Sequence, residues 1–392
     1  MIPKLSDLDL KGRAVFLRVD FNVPIADGKV TESHRIDCAL PTIRFILERA
    51  RKVIIASHLG RPEGKVVAKY SLAPVREHLQ ASLNNPVVLA PDCIGPETER
   101  IVRADHNQVV LLENLRFHKE EERNDREFSR ALASLGEVYV NDAFGAAHRA
   151  HASISGMTTF FAFKAAGKLM QKELEYLAPM LTAPEQPFVM ILGGAKVSDK
   201  IGVIKNLLPK VSALLIGGGM AYTFLKSQGI QIGRSLVEEE KLNLAAELVA
   251  EASRRRVKLV LPIDHITGDA EKKNSQTEEN DIAPDRMGLD IGPKTVELFV
   301  EQIKKAKLVL WNGPLGLFEV APYDEGSRTI ANGLAESYPR VTSVIAGGDT
   351  VAAVSAAGVV EKITHLSTGG GATLEFLEGR ELPGVKALED SP

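Results

Sequence analysis

The sequence has little of several features that mark specialised classes of protein. Only two cysteines, Cys38 and Cys93, occur in 392 residues, which excludes a disulfide framework, and no CxxC pair indicates zinc. No apolar run is long enough to cross a bilayer, and the first ten residues carry acidic side chains where a signal peptide needs its apolar core. We therefore expect a protein of the reducing cytoplasm.

The chain also lacks a strong charge of either sign. Residues 1–182 carry 25 basic and 23 acidic residues (+2), the remainder carries 23 and 28 (−5), and the net charge is −3. A nucleic-acid partner normally requires a strongly basic surface, so we expect small-molecule substrates and neither nucleic acid nor membrane as a partner. With 44% hydrophobic residues, 392 residues suffice for two domains, each with its own core.

Short apolar runs rich in β-branched residues recur along the chain, each followed by a loop or a helix-compatible stretch. They span residues 14–19, 52–57, 86–89, 109–112 and 137–140, then 188–192, 212–216, 257–261, 307–311, 343–346 and 362–366. Strands that alternate with helices form parallel sheets. The sequence therefore predicts an α/β fold of two doubly wound, Rossmann-like parallel-sheet domains joined by a helical hinge.

The two series of strands are separated by a helix-compatible segment, 164–181, and a proline-containing connector. We expect one domain over residues 1–170 and a second over 171–379, with the hinge helix and connector at about 171–187. The polar stretch 267–281 has no strand pattern and is expected to be an exposed excursion of the second domain.

Most of the polar residues that leave the apolar pattern in the first half lie in loops directly after predicted strands, and one arginine lies just before a predicted helix. They are Asp20, Asn22, Arg35, His58, Arg61, Arg116 and Arg149. Because the carboxyl ends of parallel strands gather at one edge of a sheet, we expect these side chains to cluster. A guanidinium group binds phosphate and carboxylate through paired hydrogen bonds, so four arginines suit a small ligand that carries both groups.

Plain structural interpretations exist for the same residues. Asp20 and Asn22 are also typical of a capped turn, Arg35 of a solvated helix start, and the four arginines of an unrelated surface set. His148 and His151 form a His-x-x-His pair, but no carboxylate or cysteine stands at a known ligand spacing, which disfavours a metal there.

The second half has glycines where its strands end and few arginines nearby. The glycine-containing turns are 193–200, 216–224, 311–319, 346–350 and 367–373. Such turns offer backbone N–H groups and helix amino termini to phosphate, although tight turns require glycine in any case. Lys196 and Lys200, four residues apart, are expected on one face of a helix that starts there.

Asp349 lies within one of these glycine turns. A carboxylate beside phosphate groups is repelled unless a cation lies between them, so we expect Mg²⁺ as the mediator; a helix N-cap at Asp349 or Thr350 is the alternative. The sequence contains no GxxxxGK[ST], GxGxxG, HExxH or GxSxG pattern. This disfavours an ordinary P-loop enzyme, dinucleotide enzyme, zincin or serine hydrolase.

Nine segments, in this order, resemble the phosphoglycerate kinase family from about residue 5 to the carboxyl terminus. They are RVDFNVP, SHLGRP, ENLRFHKEE, NDAFGAAHRAH, ILGGAKVSDKI, IGGGMAYTFLK, WNGPLGLFE, GGDT and HLSTGGGATLEFLEG. One residue departs from the family pattern: Ala346 stands where the family usually has a third glycine before GGDT.

The resemblance implies reversible transfer of the acyl phosphate of 1,3-bisphosphoglycerate to ADP, a step of glycolysis and gluconeogenesis, with Mg²⁺ as cofactor. It implies that the seven polar residues of the first half hold the phosphoglycerate. The nucleotide would be held by Lys200, Gly218, Asn312, Pro314, Glu319, Gly347, Gly348, Asp349 and Thr350, with Asp349 contacting the magnesium ion. The charge of the transferring group would be balanced by Arg35, Lys196, Gly370 and Gly371.

Further expectations follow from the same resemblance. The chain should be a monomer, residues 380–392 should pack back on the first domain, and the domains should close about the hinge to exclude water. The attacking carboxylate is ionised at neutral pH, so no general base is required and His58 is expected to bind ligand only. Two alternatives are another two-domain ATP-dependent acyl kinase and a catalytically silent scaffold of the same fold.

Overall fold

The elements below belong to a computed structural model, which describes residues 2–389. The α-helices are α1 (His34–Leu47), α2 (Ala73–Leu83), α3 (Pro96–Arg103), α4 (Lys119–Glu122), α5 (Arg126–Ala133), α6 (Lys168–Thr182), α7 (Ile201–Leu207), α8 (Met220–Ser227), α9 (Leu242–Arg254), α10 (Pro293–Lys305), α11 (Glu325–Ser337), α12 (Gly348–Ala356), α13 (Gly371–Leu377) and α14 (Pro383–Glu389). The strands are β1 (Ala14–Arg18), β2 (Ile25–Ala26), β3 (Lys29–Val30), β4 (Lys52–Ala56), β5 (Val88–Leu89), β6 (Val109–Leu111), β7 (Val138–Asn141), β8 (Lys164–Ala166), β9 (Phe188–Leu192), β10 (Ala213–Ile216), β11 (Lys258–Val260), β12 (Asp264–Gly268), β13 (Gln276–Glu279), β14 (Met287–Ile291), β15 (Leu308–Asn312), β16 (Thr342–Ala346) and β17 (His365–Leu366).

The chain divides into two units, and the division falls inside helix α6. Unit 1 comprises residues up to 175 together with 381–389, and unit 2 comprises residues 176–380. The boundary expected from the sequence, between residues 170 and 171, lies five residues earlier.

Unit 1 is built on a six-stranded parallel sheet with the order β5-β6-β4-β1-β7-β8. Strand β1 lies inside it, with Val15 opposite Val53 of β4 and Val138 of β7. All five residues of β1 and all five of β4 are buried. Helices cover both faces of such a sheet, which is why these strands are continuous apolar runs rather than alternating patterns.

Unit 2 contains a second six-stranded parallel sheet with the order β11-β10-β9-β15-β16-β17. Strand β15 lies between β9 and β16, and Trp311 within it is fully buried beside Phe299 and Ile330 of the covering helices. The predicted fold class of two parallel-sheet α/β domains is therefore confirmed.

The prediction of one helix over residues 164–181 is wrong at its beginning. Residues 164–166 form β8, the edge strand of the first sheet, and the helix starts only at Lys168. Pairing with β7 places Ala165 opposite Val140 and keeps it fully buried. A three-residue strand rich in alanine has no β signature of its own, so tertiary pairing overrides local propensity here.

The polar stretch 267–281 is largely exposed, as expected, but it contains strand structure that its sequence did not indicate. Strand β12 pairs in antiparallel fashion with β13 and with β14, and the three strands form a separate small sheet in unit 2. Three of the four side chains of β13 are exposed and the fourth, Glu278, is partly buried. An edge strand held mainly by backbone hydrogen bonds carries no apolar alternation, which is why its sequence did not indicate a strand.

The carboxyl-terminal helix α14 packs within unit 1. The backbone N–H of Gly384 donates to the carbonyl of Ala147 at 2.8 Å, and Leu388 is 1% exposed. The expected return of residues 380–392 to the first domain falls partly on residues 390–392, which lie outside the described residues. Within 2–389, no helix is both long and apolar enough to cross a membrane.

A buried carboxyl group joins the end of β7 to the start of α6. The Oδ1 atom of Asp142 accepts the backbone N–H of Met170 at 3.0 Å, and the side chain is fully buried. A Cβ atom on Gly167 would lie 2.2 Å from this oxygen, so only glycine allows the close approach. Burial raises the pKa of Asp142 from 3.8 to about 7, against a smaller lowering from the Thr42 hydroxyl.

This raised pKa gives unit 1 a pH-dependent stability. A folded-state pKa above the unfolded value means that the stabilisation is complete below 3.8 and is lost as the pH rises through about 7. Asp142→Asn keeps an acceptor at the Oδ1 position and cannot ionise. In the wild-type chain we expect the free energy of unfolding to fall by on the order of 1 to 3 kcal/mol between about pH 5 and pH 8, and in Asp142→Asn we expect this fall to be absent. Calorimetry of the full chain at several pH values measures it.

Asp27→Asn is the matched control, because Asp27 is exposed and asparagine tolerates its positive φ of 50°. If the free energy of unfolding falls equally with rising pH in Asp142→Asn and Asp27→Asn, ionisation of residue 142 is not the cause of the fall.

Candidate functional site

Four adjacent strands of unit 1 end beside the residues that the sequence singled out. In the order β6, β4, β1, β7, the strands run parallel, so their carboxyl ends lie at one edge of the sheet. Asp20 follows β1, His58 follows β4, Arg116 follows β6 and Arg149 follows β7. The topology therefore places the loops that carry these residues side by side.

Asp20 is the centre of a connected set of hydrogen bonds at this edge. Its Oδ2 atom accepts from Arg35 Nη1 at 2.7 Å, and its Oδ1 accepts the N–H of Asn22 at 3.2 Å. The Oδ1 of Asn22 accepts the N–H of Gly60 at 2.9 Å, and the carbonyl of Gly60 accepts from Arg116 Nη1 at 2.9 Å. Four of the predicted ligand residues are thus brought into one network.

Arg18 belongs to the same cluster and was missed by the sequence analysis. It is 1% exposed, its Nε donates to Ser153 Oγ at 2.7 Å, and its Nη2 lies 3.3 Å from Nδ1 of His58. Ser153 Oγ in turn donates to the buried Glu121 at 2.6 Å. Arg18 ends the apolar run of β1, and a charged residue inside a continuously buried strand is the signal that could have identified it.

His58 is neutral in this environment. Burial, and then the charges of Arg18 and Arg116, hold its pKa well below its usual range. Since a guanidinium only donates, Nδ1 of His58 accepts from Arg18 and the ring proton resides on Nε2. The 3.9 Å approach of His58 to Asp20 is accordingly not an ion pair.

The remaining two predicted arginines present their charges at the surface. Arg61 follows Gly60, Arg149 precedes the buried His151, and both arginines are exposed. Neither side chain makes a hydrogen bond or ion pair with any part of the chain between residues 2 and 389. Burial and the charges of nearby arginines lower the pKa of His151 to about 3, so it adds no charge.

The cluster therefore has an excess of positive charge. Five guanidinium groups belong to the end of β1, the start of α1 and the loops at this edge, and two carboxylates pair with them, Asp20 with Arg35 and Glu122 with Arg116; the five are those of Arg18, Arg35, Arg61, Arg116 and Arg149. The Nε of Arg116 is buried with no hydrogen-bond partner in the described chain, although Glu122 lies 3.3 Å away. Such an arrangement suits an anionic ligand.

In unit 2, glycine loops after β9, β10 and β15 pack against one another through their backbones. The N–H of Gly194 donates to the carbonyl of Pro314, and that of Gly218 to the carbonyl of Leu315, both at 2.9 Å. Gly313 has φ of +96°, and a Cβ there would lie 2.3 Å from the carbonyl oxygen of Gly193. Here glycine is required by the close approach of the loops themselves.

Gly348 differs, because a Cβ on it would meet no atom within 4 Å. It is the first residue of α12, after Gly347, whose φ of +92° forms the turn from β16. The backbone N–H groups at this helix start are therefore approachable from outside. The departure at Ala346 lies just before the turn, where the residue is buried and its carbonyl accepts from Asn312 Nδ2 at 2.7 Å.

A lysine, an asparagine and a threonine meet at the ends of β15 and β16. Lys200 Nζ donates to Oδ1 of Asn312, and the N–H of Gly313 donates to Oγ1 of Thr350 at 2.7 Å. Burial lowers the pKa of Lys200, while the charges of Asp199 and the exposed Asp349 act in the opposite direction. The structure thus brings together three of the predicted nucleotide residues.

The expectation that Lys196 and Lys200 share a helix face is wrong. Helix α7 begins at Ile201, and the residues before it form turns. Both the backbone N–H and the hydroxyl of Ser198 donate to Glu238, at 3.0 and 2.6 Å, which holds the segment in a non-helical path. Lys196 is exposed. Against the effect of burial, hydrogen bonds from Ser198 lower the pKa of Glu238, and the charge of Lys196 adds to that lowering.

The other predicted residues of unit 2 lie on the same set of loops. Pro314 is partly buried in the loop after β15, and Glu319 is exposed further along that loop. Gly370, with φ of +53°, precedes α13, and Gly371 is the first residue of that helix. Both follow β17, the neighbour of β16 in the sheet.

Comparison with known proteins agrees with this architecture over the full chain. The structure of phosphoglycerate kinase from Coxiella burnetii superposes with a TM-score of 0.89 at 39% identity, covering 99% of each chain. That from Pyrococcus horikoshii OT3 gives 0.83 at 30% identity, covering 99% of this chain and 98% of the other.

Sequence comparison is equally extensive. The chain is 56% identical to the phosphoglycerate kinase of Anaeromyxobacter dehalogenans (strain 2CP-C), over 98% of this chain and 99% of the relative. It is 53% identical to that of Koribacter versatilis (strain Ellin345), over 98% of both chains. The family model described as phosphoglycerate kinase matches residues 5–380.

The fold and the loops at the strand ends define the class of this protein: a small-molecule phosphotransferase built from two parallel-sheet α/β units. Within that class, the chain belongs to the phosphoglycerate kinase family. The resemblance found in the sequence is confirmed, and with it the predicted enzyme class, a kinase whose acceptor is a carboxyl group. Members of this family use ATP and ADP as substrates.

The two kinds of glycine in unit 2 predict opposite outcomes of the same substitution. Gly313→Ala places a Cβ against the Gly193 carbonyl at a positive φ, and we expect it to destabilise unit 2 by about 2 to 5 kcal/mol. Gly348→Ala adds a methyl group in open space and should change stability by less than about 1 kcal/mol. Denaturation is followed by Trp311 fluorescence, whose indole N–H donates to the Gly313 carbonyl at 2.8 Å.

The two variants serve as each other's control, since both are glycine-to-alanine changes at strand ends of one sheet. Equal denaturation midpoints would contradict the assignment of Gly313 to loop packing.

Proposed function

We propose that this chain catalyses reversible transfer of the acyl phosphate of 1,3-bisphosphoglycerate to ADP, giving 3-phosphoglycerate and ATP. Unit 1 binds the phosphoglycerate and unit 2 binds the nucleotide. The observation that carries the proposal is the excess of guanidinium groups at one sheet edge of unit 1, with a partly buried lysine and approachable backbone N–H groups in unit 2.

In unit 1, the free donors suit the two ends of phosphoglycerate. Arg61 and Arg149, which make no ion pair in the described residues, are available for the phosphate, and Arg35 and Arg116 for the remaining negative charge. His58 contributes a neutral N–H donor. The carboxylate of Asp20 would repel a phosphate, but it can accept from a hydroxyl group, and phosphoglycerate carries one. Asn22, whose Oδ1 accepts the N–H of Gly60, offers its Nδ2 group as a donor.

In unit 2, we assign the nucleotide to the loops around Lys200 and Asn312. Their neighbours in this role are Gly218, Pro314, Glu319 and the turn Gly347, Gly348, Asp349 and Thr350. Nucleotide phosphates would repel the exposed carboxylate of Asp349. Mg²⁺, which prefers oxygen ligands, removes that repulsion when it lies between them, so Asp349 is the proposed protein contact of the metal.

The chemical step then depends on positioning and positive charge. The attacking carboxylate of phosphoglycerate is ionised at neutral pH, so no residue has to remove a proton. Charge develops on the equatorial oxygens of the transferring phosphoryl group, where Arg35, Lys196 and the backbone N–H groups at Gly370 and Gly371 would stabilise it. The neutral state of His58 agrees with a binding role rather than a general-base role.

Three further properties of the enzyme are expected. The enzyme is expected to be a monomer, to reside in the cytoplasm, and to close about its hinge when both ligands are bound. Small-angle scattering with and without both ligands tests the last of these, and an unchanged radius of gyration would contradict it.

A coupled assay tests the proposed activity directly. Purified full-length chain, ATP, Mg²⁺ and 3-phosphoglycerate are supplied, and the acyl phosphate product is followed by its enzymatic reduction. We expect turnover that disappears when Mg²⁺ is chelated. Absence of turnover with the metal present, while both ligands still bind, would favour the catalytically silent scaffold.

The proposed charge stabilisers predict a specific kinetic pattern. Arg35→Met and Lys196→Met should lower kcat by about 100-fold or more, with much smaller changes in ligand affinity, because their interactions are strongest in the transition state. Rates come from the coupled assay and affinities from titration calorimetry.

Arg126→Met and Lys205→Met are matched controls, since both residues are exposed, lie within helices and are not among the proposed ligand-binding residues. Variants of Arg35 and Lys196 that lose affinity in proportion to rate, or that keep the kcat of their controls, would contradict the assigned roles.

A further inference from the structure

Three chemically different metal-ligating side chains meet outside the arginine cluster. Asp92 and Cys93 lie in the turn between β5 and α3, and His118 lies just after the loop that follows β6. Because β5 and β6 are neighbours in the sheet, these two turns are adjacent. One carboxylate oxygen, the thiol sulfur and one ring nitrogen all lie within 4.8 Å of one another.

We propose that Asp92, Cys93 and His118 bind one divalent cation of the zinc type. Around tetrahedral zinc, neighbouring ligand atoms stand about 3.4 to 3.6 Å apart, from the usual metal–ligand bond lengths. The observed spacing reaches that geometry through side-chain adjustments of roughly an ångström. Three protein ligands leave the fourth position to water.

The donor set selects the class of metal. Thiolate and imidazole are poor ligands for magnesium and calcium, which prefer oxygen, and good ligands for zinc and its transition-metal neighbours. One thiolate and one carboxylate also neutralise a divalent charge, which matters because Cys93 is fully buried. The site is accordingly distinct in chemistry from the magnesium contact proposed at Asp349.

The surroundings hold the ligands in place and leave a route to them. The hydroxyl of Thr98 donates to the carbonyl of Asp92 at 3.0 Å, and the ring of His118 packs against Phe128 with centroids 5.3 Å apart. The side chains of Asp92 and His118 are 46% and 25% exposed. An ion can therefore approach from the solvent side and meet the buried thiol last.

A simple ion pair is the competing explanation for two of the three residues. Nε2 of His118 lies 2.7 Å from Oδ1 of Asp92, which forms a complete interaction without any metal. The thiol of Cys93 is also a hydrogen-bond partner of the Asp92 carboxylate, so protons can hold all three side chains together, and the ion has to replace those protons. The experiment must therefore report on the sulfur.

Cobalt(II) titration of the full-length, metal-free protein provides that readout, because a cobalt–thiolate bond gives a near-ultraviolet charge-transfer absorption. We expect saturation at one equivalent, displacement by Zn²⁺, and loss of the absorption in Cys93→Ser. Cys38→Ser is a matched control: Cys38 is the other cysteine of the chain and also lies beside a histidine, with its Sγ 3.6 Å from Nε2 of His34.

His118→Gln and Asp92→Asn extend the test to partly exposed residues whose substitution leaves the core intact. Each should weaken Zn²⁺ binding by at least about 10-fold, measured in competition with a chromophoric chelator. Even residues that only orient a metal ligand have effects of about this size. Thermal melts confirm that the variants are folded, and these two carry the test alone if Cys93→Ser does not fold.

Absence of the charge-transfer absorption in the wild-type chain would overturn the proposal, as would its persistence in Cys93→Ser or its loss in Cys38→Ser. Unchanged zinc affinity in His118→Gln and Asp92→Asn would overturn it as well. None of these measurements depends on phosphoryl transfer, so their outcome is independent of the proposed function.

Discussion

Repulsion between like charges is the constraint on which the arrangement of unit 1 depends. Arg18, Arg35 and Arg116 are held at one sheet edge, and Asp20 is the carboxylate that binds one of them at 2.7 Å. Partial burial keeps these cations from being screened by water, which strengthens both their repulsion and their attraction for an anion. The fold fixes the cations before any ligand arrives, so binding does not have to bring them together.

The two units present positive charge by different means. Unit 1 uses side chains of fixed charge on loops after adjacent strands, which suits a small ligand that must be gripped at both ends. Unit 2 uses backbone geometry: Gly193, Gly218 and Gly313 let three loops pack closely, while Gly348 leaves a helix start approachable. Dispersed partial charges of this kind suit a longer, flexible polyphosphate, and Lys200 adds a partly buried full charge.

The sequence was sufficient where each element carries its own signal. Buried strands such as β1 and β9 are continuous apolar runs, and the rule that parallel strands share one functional edge was enough to group Asp20, Asn22, Arg35 and Arg116. It failed where tertiary pairing supplies the information, as in β8 and β13, and where a side-chain contact such as Ser198 with Glu238 prevents a helix. Arg18 was missed although it carries a sequence signal, a charge at the end of a continuously buried strand; its contacts with Ser153 and His58 become visible only in the structure.

Arginine is also what keeps the charge of this site constant with pH. His58 and His151 lie in the same cluster, and histidine is the side chain whose charge ordinarily changes near neutrality. Burial and the adjacent guanidinium groups hold both pKa values low, so both rings are neutral throughout the physiological range. The positive charge of this cluster therefore comes from arginines, which do not titrate there. The titratable group of this cluster whose pKa burial raises is the carboxyl group of Glu121, which accepts from Ser153 Oγ at 2.6 Å, so a pH dependence of the cluster's charge would come from Glu121 rather than from the histidines.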